Sequence, residues 1–144
     1  MKKLNEDFQV EYELAVLTLG QNLISGKWTI LILWELSKGT KRFSELYESL
    51  RYTSRSVFTK QLHELENSGL IKREVYAKKP IKVEYSLTEI GEKLIPVLYA
   101  LSDWSEDYAR SQKEEGTSVI DFLQNSFLSD KYKAYKNVNV TPKK

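Results

Sequence analysis

The 144-residue sequence contains no cysteine, which excludes disulfides, thiolate metal sites and thiol-based redox sensing together. Histidine occurs once, at His63, so neither a second histidine nor a thiol can complete a metal or catalytic site around it. No segment approaches the roughly 20 consecutive apolar residues that a membrane-spanning helix requires. The basic N-terminus is not followed by the apolar run of a signal peptide. We therefore expect a cytoplasmic protein with no membrane partner.

The motifs of an enzyme are missing as well. The sequence shows no pairing of a nucleophile with a base, no cluster of metal ligands and no glycine-rich phosphate loop. We therefore expect no catalytic residues, no metal and no cofactor. Hydrophobic residues make up 41% and charged residues 29%, which is the composition of one ordinary globular domain spanning residues 1–144.

Charge is unevenly distributed along the chain, although the net charge is only +2. Between Lys38 and Lys82, eleven basic residues stand against five acidic ones, a local balance of +6, and the remainder carries −4. A basic segment between acidic ones is typical of a domain that presents one face to phosphate. The charge pattern alone leaves a second interpretation open, a lysine-rich surface that is merely solvated.

The first third of the chain is predicted to be helical. Apolar residues from about position 5 to position 24 indicate one or two short helices with a possible break near Gly20. The apolar run at 28–36 predicts a central buried helix, which Lys38 and Gly39 terminate.

Two further helices are predicted to follow closely. Ser44 is the expected N-cap of a short helix at 45–50, and Ser54 is the expected N-cap of a longer helix that extends to Asn67. The longer helix has two faces at a period of 3.6 residues. Its apolar face consists of Phe58, Leu62 and Leu65. Its polar face consists of Ser56, Lys60, His63 and Asn67, with Thr59 beside them.

The periodicity then changes to two, which predicts an antiparallel hairpin. Alternating runs at 71–76 and 82–87 flank a basic, proline-containing loop, Ala77-Lys78-Lys79-Pro80. Thr88 is the expected N-cap of a long apolar-faced helix, which Pro96 should kink. The predicted fold is mainly α with a small β-hairpin wing: a winged helix-turn-helix domain with N- and C-terminal dimerisation helices.

This order of elements indicates binding to double-stranded DNA. The major groove admits one helix, whose polar face reaches the base edges, and a basic hairpin can reach the backbone or the minor groove. The predicted DNA-binding residues are Arg42, Ser54, Arg55, Ser56, Thr59, Lys60, His63, Lys78, Lys79 and Lys82. Their ordinary alternatives stay open: His63, Arg55 and Lys60 can be solvated helix residues, and the hairpin lysines can protect an exposed strand edge.

Four segments of the sequence resemble the HxlR-type transcriptional regulators, a branch near the MarR-like winged-helix proteins. They are GKWTILIL at 26–33, RFSEL at 42–46, LHELENSGLI at 62–71 and VEYSLTEIG at 83–91, and the likeness extends from about 15 to 104. The resemblance implies a homodimer on a pseudo-palindromic operator, with the helix from Arg55 as reading helix and Lys78-Lys79 at the wing tip. We expect a DNA-binding core at about 26–88 and dimerisation helices at about 5–24 and 89–128. A small-molecule effector is possible and unidentified.

Two departures from that family matter. Many members sense oxidants through a cysteine at the position that corresponds to Ala15, so this mechanism is excluded here. The segment beyond about residue 116 has no counterpart, and its apolar stretch at 119–128 either adds to the dimer or packs on its own domain. The polar tail at 131–144 is expected to be poorly ordered.

The expected dimer interface is apolar. Its predicted residues are Leu14, Leu17, Leu94, Val97, Leu98, Leu101, Trp104 and Tyr108. A stripe of this length exceeds what a small domain readily covers by itself, which favours a partner helix. The aromatic set Trp28, Trp34, Tyr85 and Trp104 is expected in the core, with an effector pocket as the alternative. A function of another class, a winged-helix module that binds protein without specific DNA binding, remains the alternative.

Overall fold

The computed structural model describes residues 2–50 and 54–111, in which helices predominate and three short strands form one antiparallel sheet. The predicted fold class, mainly helical with a small hairpin, is confirmed. In chain order the elements are α1 (Lys2–Ile24), α2 (Thr29–Ser37), β1 (Lys41–Arg42), α3 (Phe43–Ser49), α4 (Arg55–Asn67), β2 (Ile71–Tyr76), β3 (Lys82–Leu87), α5 (Glu89–Glu92) and α6 (Ile95–Ser111). The predictions for 119–128 and 131–144 lie outside the described residues.

The chain divides into two compact units, Met1–Glu92 and Lys93–Lys144. In the first unit α2, α3 and α4 pack with the sheet around one apolar core. The buried apolar residues of this core are Trp28, Ile32, Leu33, Leu36, Leu46, Leu50, Phe58, Leu62, Leu65, Leu70, Ile71, Tyr85 and Leu87. In the described part of the chain no single helix is long and apolar enough to span a membrane, and only the bent pair Asn5–Ile24 and Thr29–Ser37 passes that test jointly.

The N-terminal helix α1 is one continuous element, so of the two predicted alternatives the structure has one helix, with no break at Gly20. A glycine in a helix interior lowers helix stability by only about 1 kcal/mol relative to alanine, and the other 22 residues of α1 keep the helix continuous. No described side chain from position 5 to position 23 is buried. The exposed apolar side chains are Phe8, Val10, Tyr12, Leu14, Val16, Leu17, Leu19 and Leu23. At 3.6 residues per turn they form two stripes on opposite sides of the helix, Val10–Leu14–Leu17 and the remaining five.

The N-terminal boundaries of α3 and α4 depend on different capping groups. The helix α3 begins at Phe43, so the prediction that Ser44 caps it is wrong. Glu45 supplies the cap instead, because its carboxylate accepts the backbone N–H of Arg42 at 3.0 Å. The prediction for α4 is confirmed, since the Ser54 hydroxyl accepts the backbone N–H of Val57 at 3.3 Å. The helix ends at Asn67, and Gly69 follows with a positive φ of 78°.

The sheet has the order β1-β3-β2, with the predicted hairpin formed by β2 and β3. Ile71 pairs with Leu87 at the buried end of the hairpin, and Tyr76 pairs with Lys82 next to the loop. The third strand, β1, was not predicted: Lys41 pairs with Tyr85 and Arg42 with Glu84. Because β1 pairs with β3, it attaches the start of α3 to the central strand of the sheet.

The helical segment after the hairpin is interrupted near Pro96 as predicted, but the interruption is a break just before the proline and not a kink at it. Glu92 ends α5, and α6 begins at Ile95 with Pro96 in its first turn. Proline is tolerated there because the N–H that it lacks has no partner inside the helix. The prediction that Thr88 caps the first piece is confirmed, since its hydroxyl accepts the N–H of Gly91 at 3.1 Å.

Candidate nucleic-acid interface

The helix α4 separates its apolar and polar side chains as the sequence predicts. Phe58, Leu62 and Leu65 are buried, with Phe58 completely inaccessible. The opposite face is exposed and carries Ser56, Thr59, Lys60, His63 and Asn67. Among the described residues, neither Lys60 nor His63 forms an ion pair. The helix therefore presents polar groups of several kinds while its other face fixes it to the core.

The first turn of α4 is organised by short-range hydrogen bonds. The Ser54 and Ser56 hydroxyls lie 3.2 Å apart, and the Thr59 hydroxyl donates to the carbonyl of Arg55 at 2.8 Å. These contacts leave the side chains on the exposed face, next to backbone N–H groups that no carbonyl of the helix accepts. A helix N-terminus of this kind favours an anion through its dipole.

The side chain of Arg55 lies on two aromatic rings of α3. Its guanidinium carbon is 4.9 Å from the centre of the Phe43 ring and 5.8 Å from that of Tyr47. Arg55 was predicted from the sequence as a DNA-binding residue, whereas neither ring was. Their i, i+4 spacing on α3 places them on one helix face, but only the tertiary fold places that face under Arg55.

The three wing lysines are not equivalent. Lys78 and Lys79 are exposed at the hairpin loop, with no ion pair among the described residues. Lys82 instead pairs with Glu84, its Nζ lying 2.6 Å from a carboxylate oxygen and 5.7 Å from the centre of the Tyr76 ring. An open cavity of about 340 Å³ lies at this end of the sheet. It is lined by Arg42, Tyr76, Lys78, Lys79, Pro80, Ile81 and Lys82.

Two carboxylates stand directly opposite each other on the polar face of the sheet, Glu74 on β2 and Glu84 on β3. Each is compensated by a lysine on its own strand, Lys72 lying 3.5 Å from Glu74 and Lys82 lying 2.6 Å from Glu84. The hydrogen bond that Tyr76 donates to Glu74, with the bond and charge of Lys72, lowers the pKa of the glutamate. The same hydrogen bond and the glutamate's charge raise the pKa of Tyr76.

Among the described residues, the positive charge of the wing that has no ion pair therefore comes from Arg73 on β2 and from Lys78 and Lys79 in the loop, with Arg42 on the neighbouring strand β1. Arg42 is exposed on β1, opposite Glu84 in the strand register. Within residues 2–50 and 54–111, no three histidine, aspartate or glutamate side chains converge to hold a metal ion. The described wing thus offers cations to an anionic ligand and no group of metal ligands.

The predicted interface residues on α1 and α6 are mostly exposed. Leu14 and Leu17 are 61% and 72% exposed. On α6 the exposed members of the stripe are Val97, Leu101, Trp104 and Tyr108, at a spacing that places them on one helix face. The rings of Trp104 and Tyr108 stack with centres 5.3 Å apart. Leu94 is half-buried, and Leu98 is buried within its own chain.

The aromatic residues expected in the core divide into three classes of exposure. Trp28 and Tyr85 are buried, which confirms the prediction for these two. Trp34 is half-buried. The assignment of Trp104 to the core is wrong, because this side chain is 61% exposed on α6, and its other predicted location, the dimer interface, stays a prediction. Amphipathic spacing identifies an apolar face but not the surface that covers it, which is why the sequence predicted both locations for Trp104.

A family model and individual transcriptional regulators both match this chain. The family model described as HxlR-like helix-turn-helix matches residues 23–113. An uncharacterized HTH-type transcriptional regulator of Methanothermobacter thermautotrophicus is 41% identical over 112 residues, which cover 78% of this chain and 82% of that protein.

Solved structures match over the same part of the chain. A MarR-family transcriptional regulator from Porphyromonas gingivalis W83 superposes with a TM-score of 0.59 at 31% identity, covering 62% of this chain and 87% of the other. The redox regulator HypR in its oxidised form superposes with a TM-score of 0.60 at 37% identity, covering 63% and 94%. Both identities exceed the range in which only a fold is shared, so the likeness includes sequence as well as architecture.

Proposed function

The chain belongs to the HxlR-like helix-turn-helix family of transcriptional regulators, and on this premise we propose that it binds double-stranded DNA sequence-specifically as a homodimer. Within the proposal, α4 enters the major groove and the hairpin loop contacts the backbone or the adjacent minor groove. The proposed core for DNA binding is 26–88, and the helices on either side of it form the dimer.

The observation that carries this proposal is the separation of faces on α4. A reading helix needs one face fixed to the protein and another able to donate and accept hydrogen bonds at base edges. Phe58, Leu62 and Leu65 meet the first requirement, because all are buried. Lys60 and His63 meet the second, because both are exposed. Lysine donates to the acceptor edge of guanine, which makes Lys60 the proposed source of base preference.

Cations at the wing are proposed to contact phosphate. Lys78 and Lys79 are exposed and have no ion pair among the described residues, and Arg42 lines the same cavity. Phosphate contacts set the register of a protein on DNA and supply most of its salt-dependent affinity. Lys82 contributes less in this proposal, because Glu84 already neutralises it.

The homodimer is supported by apolar surface that a single described chain leaves uncovered. The stripes on α1 and the face of Val97, Leu101, Trp104 and Tyr108 on α6 are exposed to an extent unusual for an isolated domain. Two copies related by a twofold axis would place two α4 helices against half-sites about one helical turn, ~34 Å, apart. A pseudo-palindromic operator follows from that symmetry.

The signal that controls DNA binding is not a thiol. HypR is a redox regulator by name, whereas this sequence contains no cysteine. Regulation through disulfides or sulfenic acids is therefore unavailable to this chain. The controlling variable would then be a noncovalent effector or the amount of the protein itself.

The proposal is tested in two steps with the full chain. Duplexes that it binds are first selected from a random-sequence library. Their affinity is then measured by fluorescence anisotropy against competitor DNA. A selected duplex should outcompete random duplex by about a thousandfold or more. Lys60→Ala should change the base preferred at one position of each half-site, whereas Lys38→Ala, a lysine paired with Glu35, should leave preference unchanged.

Two results would contradict the proposal. Equal affinity for every duplex would remove sequence-specific regulation. A complete absence of salt-dependent affinity for DNA would favour the alternative of a winged-helix module that binds protein.

A further inference from the structure

The basic side chain at the start of the proposed reading helix does not stand alone in solvent. Arg55 is the first residue of α4, and its guanidinium lies over Phe43 and Tyr47 of α3 at 4.9 and 5.8 Å. We call these two rings the aromatic shelf. A guanidinium over a ring face within about 6 Å is attracted by the ring quadrupole.

The two rings of the aromatic shelf pack against each other and against α4. The rings of Phe43 and Tyr47 are nearly parallel, with centres 5.9 Å apart and planes inclined by 10°. Both meet Phe58 edge to face, at 5.6 Å for Phe43 and 5.5 Å for Tyr47. Because Phe58 is completely buried on α4, the shelf is tied to the same helix that carries Arg55. Movement of the shelf relative to α4 would open the core.

The ring contact leaves the hydrogen-bonding capacity of arginine available. The attraction is between the charge of the guanidinium and the ring faces, and it uses none of the five N–H donors in a conventional hydrogen bond. A side chain held in this way loses less conformational freedom when it binds, since its position is set beforehand. Lysine, a point charge on a flexible stem, does not gain the same benefit.

We propose that Phe43 and Tyr47 are positioning residues that hold the Arg55 guanidinium ready to bind a phosphate of the DNA backbone beside the N-terminus of α4. This inference rests on the proposed DNA binding and adds a function for two residues of α3. The chemistry favours phosphate because the first turn of α4 places backbone N–H groups that no helix carbonyl accepts, and the positive end of the dipole, next to Arg55. The rings touch the arginine and need not touch DNA.

The test is a double-mutant cycle with the full chain and a fluorescently labelled duplex selected as above. Phe43→Leu should weaken binding about two- to fivefold, and this loss should vanish in an Arg55→Ala background. Arg55→Ala should reduce the slope of log affinity against log salt by about 0.9, whereas Phe43→Leu should keep the slope, because the charge remains. Phe43→Tyr restores a ring and should restore affinity, and Tyr99→Leu on α6 is the matched control for loss of an aromatic side chain.

A second readout does not depend on DNA. In the unbound protein the Arg55 side-chain protons should show an upfield ring-current shift by NMR, which Phe43→Leu removes and Phe43→Tyr restores. A loss that persists in the Arg55→Ala background, or an unshifted Arg55 signal in the parent protein, overturns the positioning role while leaving DNA binding in place. A parent protein that binds no duplex overturns the proposed function and this inference with it.

Discussion

Gly91 lies against the backbone carbonyl of Leu70, so closely that a Cβ at position 91 would overlap the carbonyl oxygen. The contact joins α5 to the residue that precedes β2. Thr88 strengthens the same junction, because its hydroxyl donates to the carbonyl of Gly69 at 2.6 Å and its N–H bonds Leu70 at 3.1 Å. These contacts therefore hold the turn after α4 and the start of β2 against α5.

Gly91→Ala should destabilise the protein by about 1–3 kcal/mol, because backbone atoms must shift to admit the new methyl group. Urea unfolding followed by circular dichroism measures the change. Gly20→Ala in α1 is the matched control, since nothing lies within 4 Å of a Cβ there. It should be neutral or stabilise by up to about 1 kcal/mol. Equal effects of the two substitutions would contradict the close approach at Leu70.

Ser54→Ala should lower the free energy of unfolding by about 1 kcal/mol, because the Val57 N–H loses its acceptor. Ser54→Asp keeps an N-cap acceptor and should retain stability, yet its negative charge stands where a phosphate is proposed. Urea titration and anisotropy together separate the two effects. An aspartate variant that binds DNA as tightly as the parent would refute a phosphate at this helix end.

Lys79→Ala should weaken binding to all duplexes and reduce the salt slope by about 0.9, because one phosphate contact is lost. Lys82→Ala should have a smaller effect, since its charge is compensated by Glu84. Glu84→Gln releases Lys82 and should strengthen binding. Anisotropy at several salt concentrations measures all three, and identical losses for the two lysine variants would show that the ion pair does not hold in the complex.

Leu17→Glu and Trp104→Glu should each shift the protein from dimer to monomer in sedimentation equilibrium, because a buried carboxylate without a partner is strongly unfavourable. Tyr99→Glu is the control, since position 99 lies across α6 from Val97, Leu101, Trp104 and Tyr108. It should leave the oligomeric state unchanged. Dimerisation that survives both α1 and α6 substitutions would place the interface elsewhere.

Tyr76→Phe should raise the pKa of Glu74 back toward its ordinary value, because the hydroxyl bond is the largest cause of its depression. A depressed carboxyl pKa stabilises the fold above the unfolded pKa, and the contribution disappears as pH falls through the folded pKa. The group is fully exposed, so we expect no resolvable change in stability with pH from this residue. An NMR titration of the Glu74 carboxyl in both proteins checks the direction.

Local chemistry explains what the sequence predicted correctly. The Ser54 cap, the Gly69 helix end and the two faces of α4 depend on residues a few positions apart, so the local sequence predicts them. The strand β1 was missed because two residues carry no periodicity, and it exists only through its pairing with β3. Capping by Glu45 was missed because serine was the stronger local signal.

The site itself was only partly predictable. Its residue types followed from polarity on a helix face and from charge in a loop. The aromatic shelf under Arg55 depends on how α3 packs against α4, which spacing does not encode. The neutralisation of Lys82 had a usable signal, since residues 82 and 84 share a sheet face at a period of two. Trp104 shows the opposite error, an apolar residue assigned to a core that the single chain does not supply.

The doubly apolar helix α1 has a consequence for how the regulator responds to its own synthesis. In the proposed homodimer, which would cover α1, the amount of assembled protein rises with the square of the protein concentration while most chains are unpaired. Occupancy of an operator by the pair then rises more steeply than the amount of protein, without any bound ligand. A twofold change in the amount of the regulator would then change the amount of dimer by up to about fourfold. In a protein without cysteine, cellular abundance can thus act as the input.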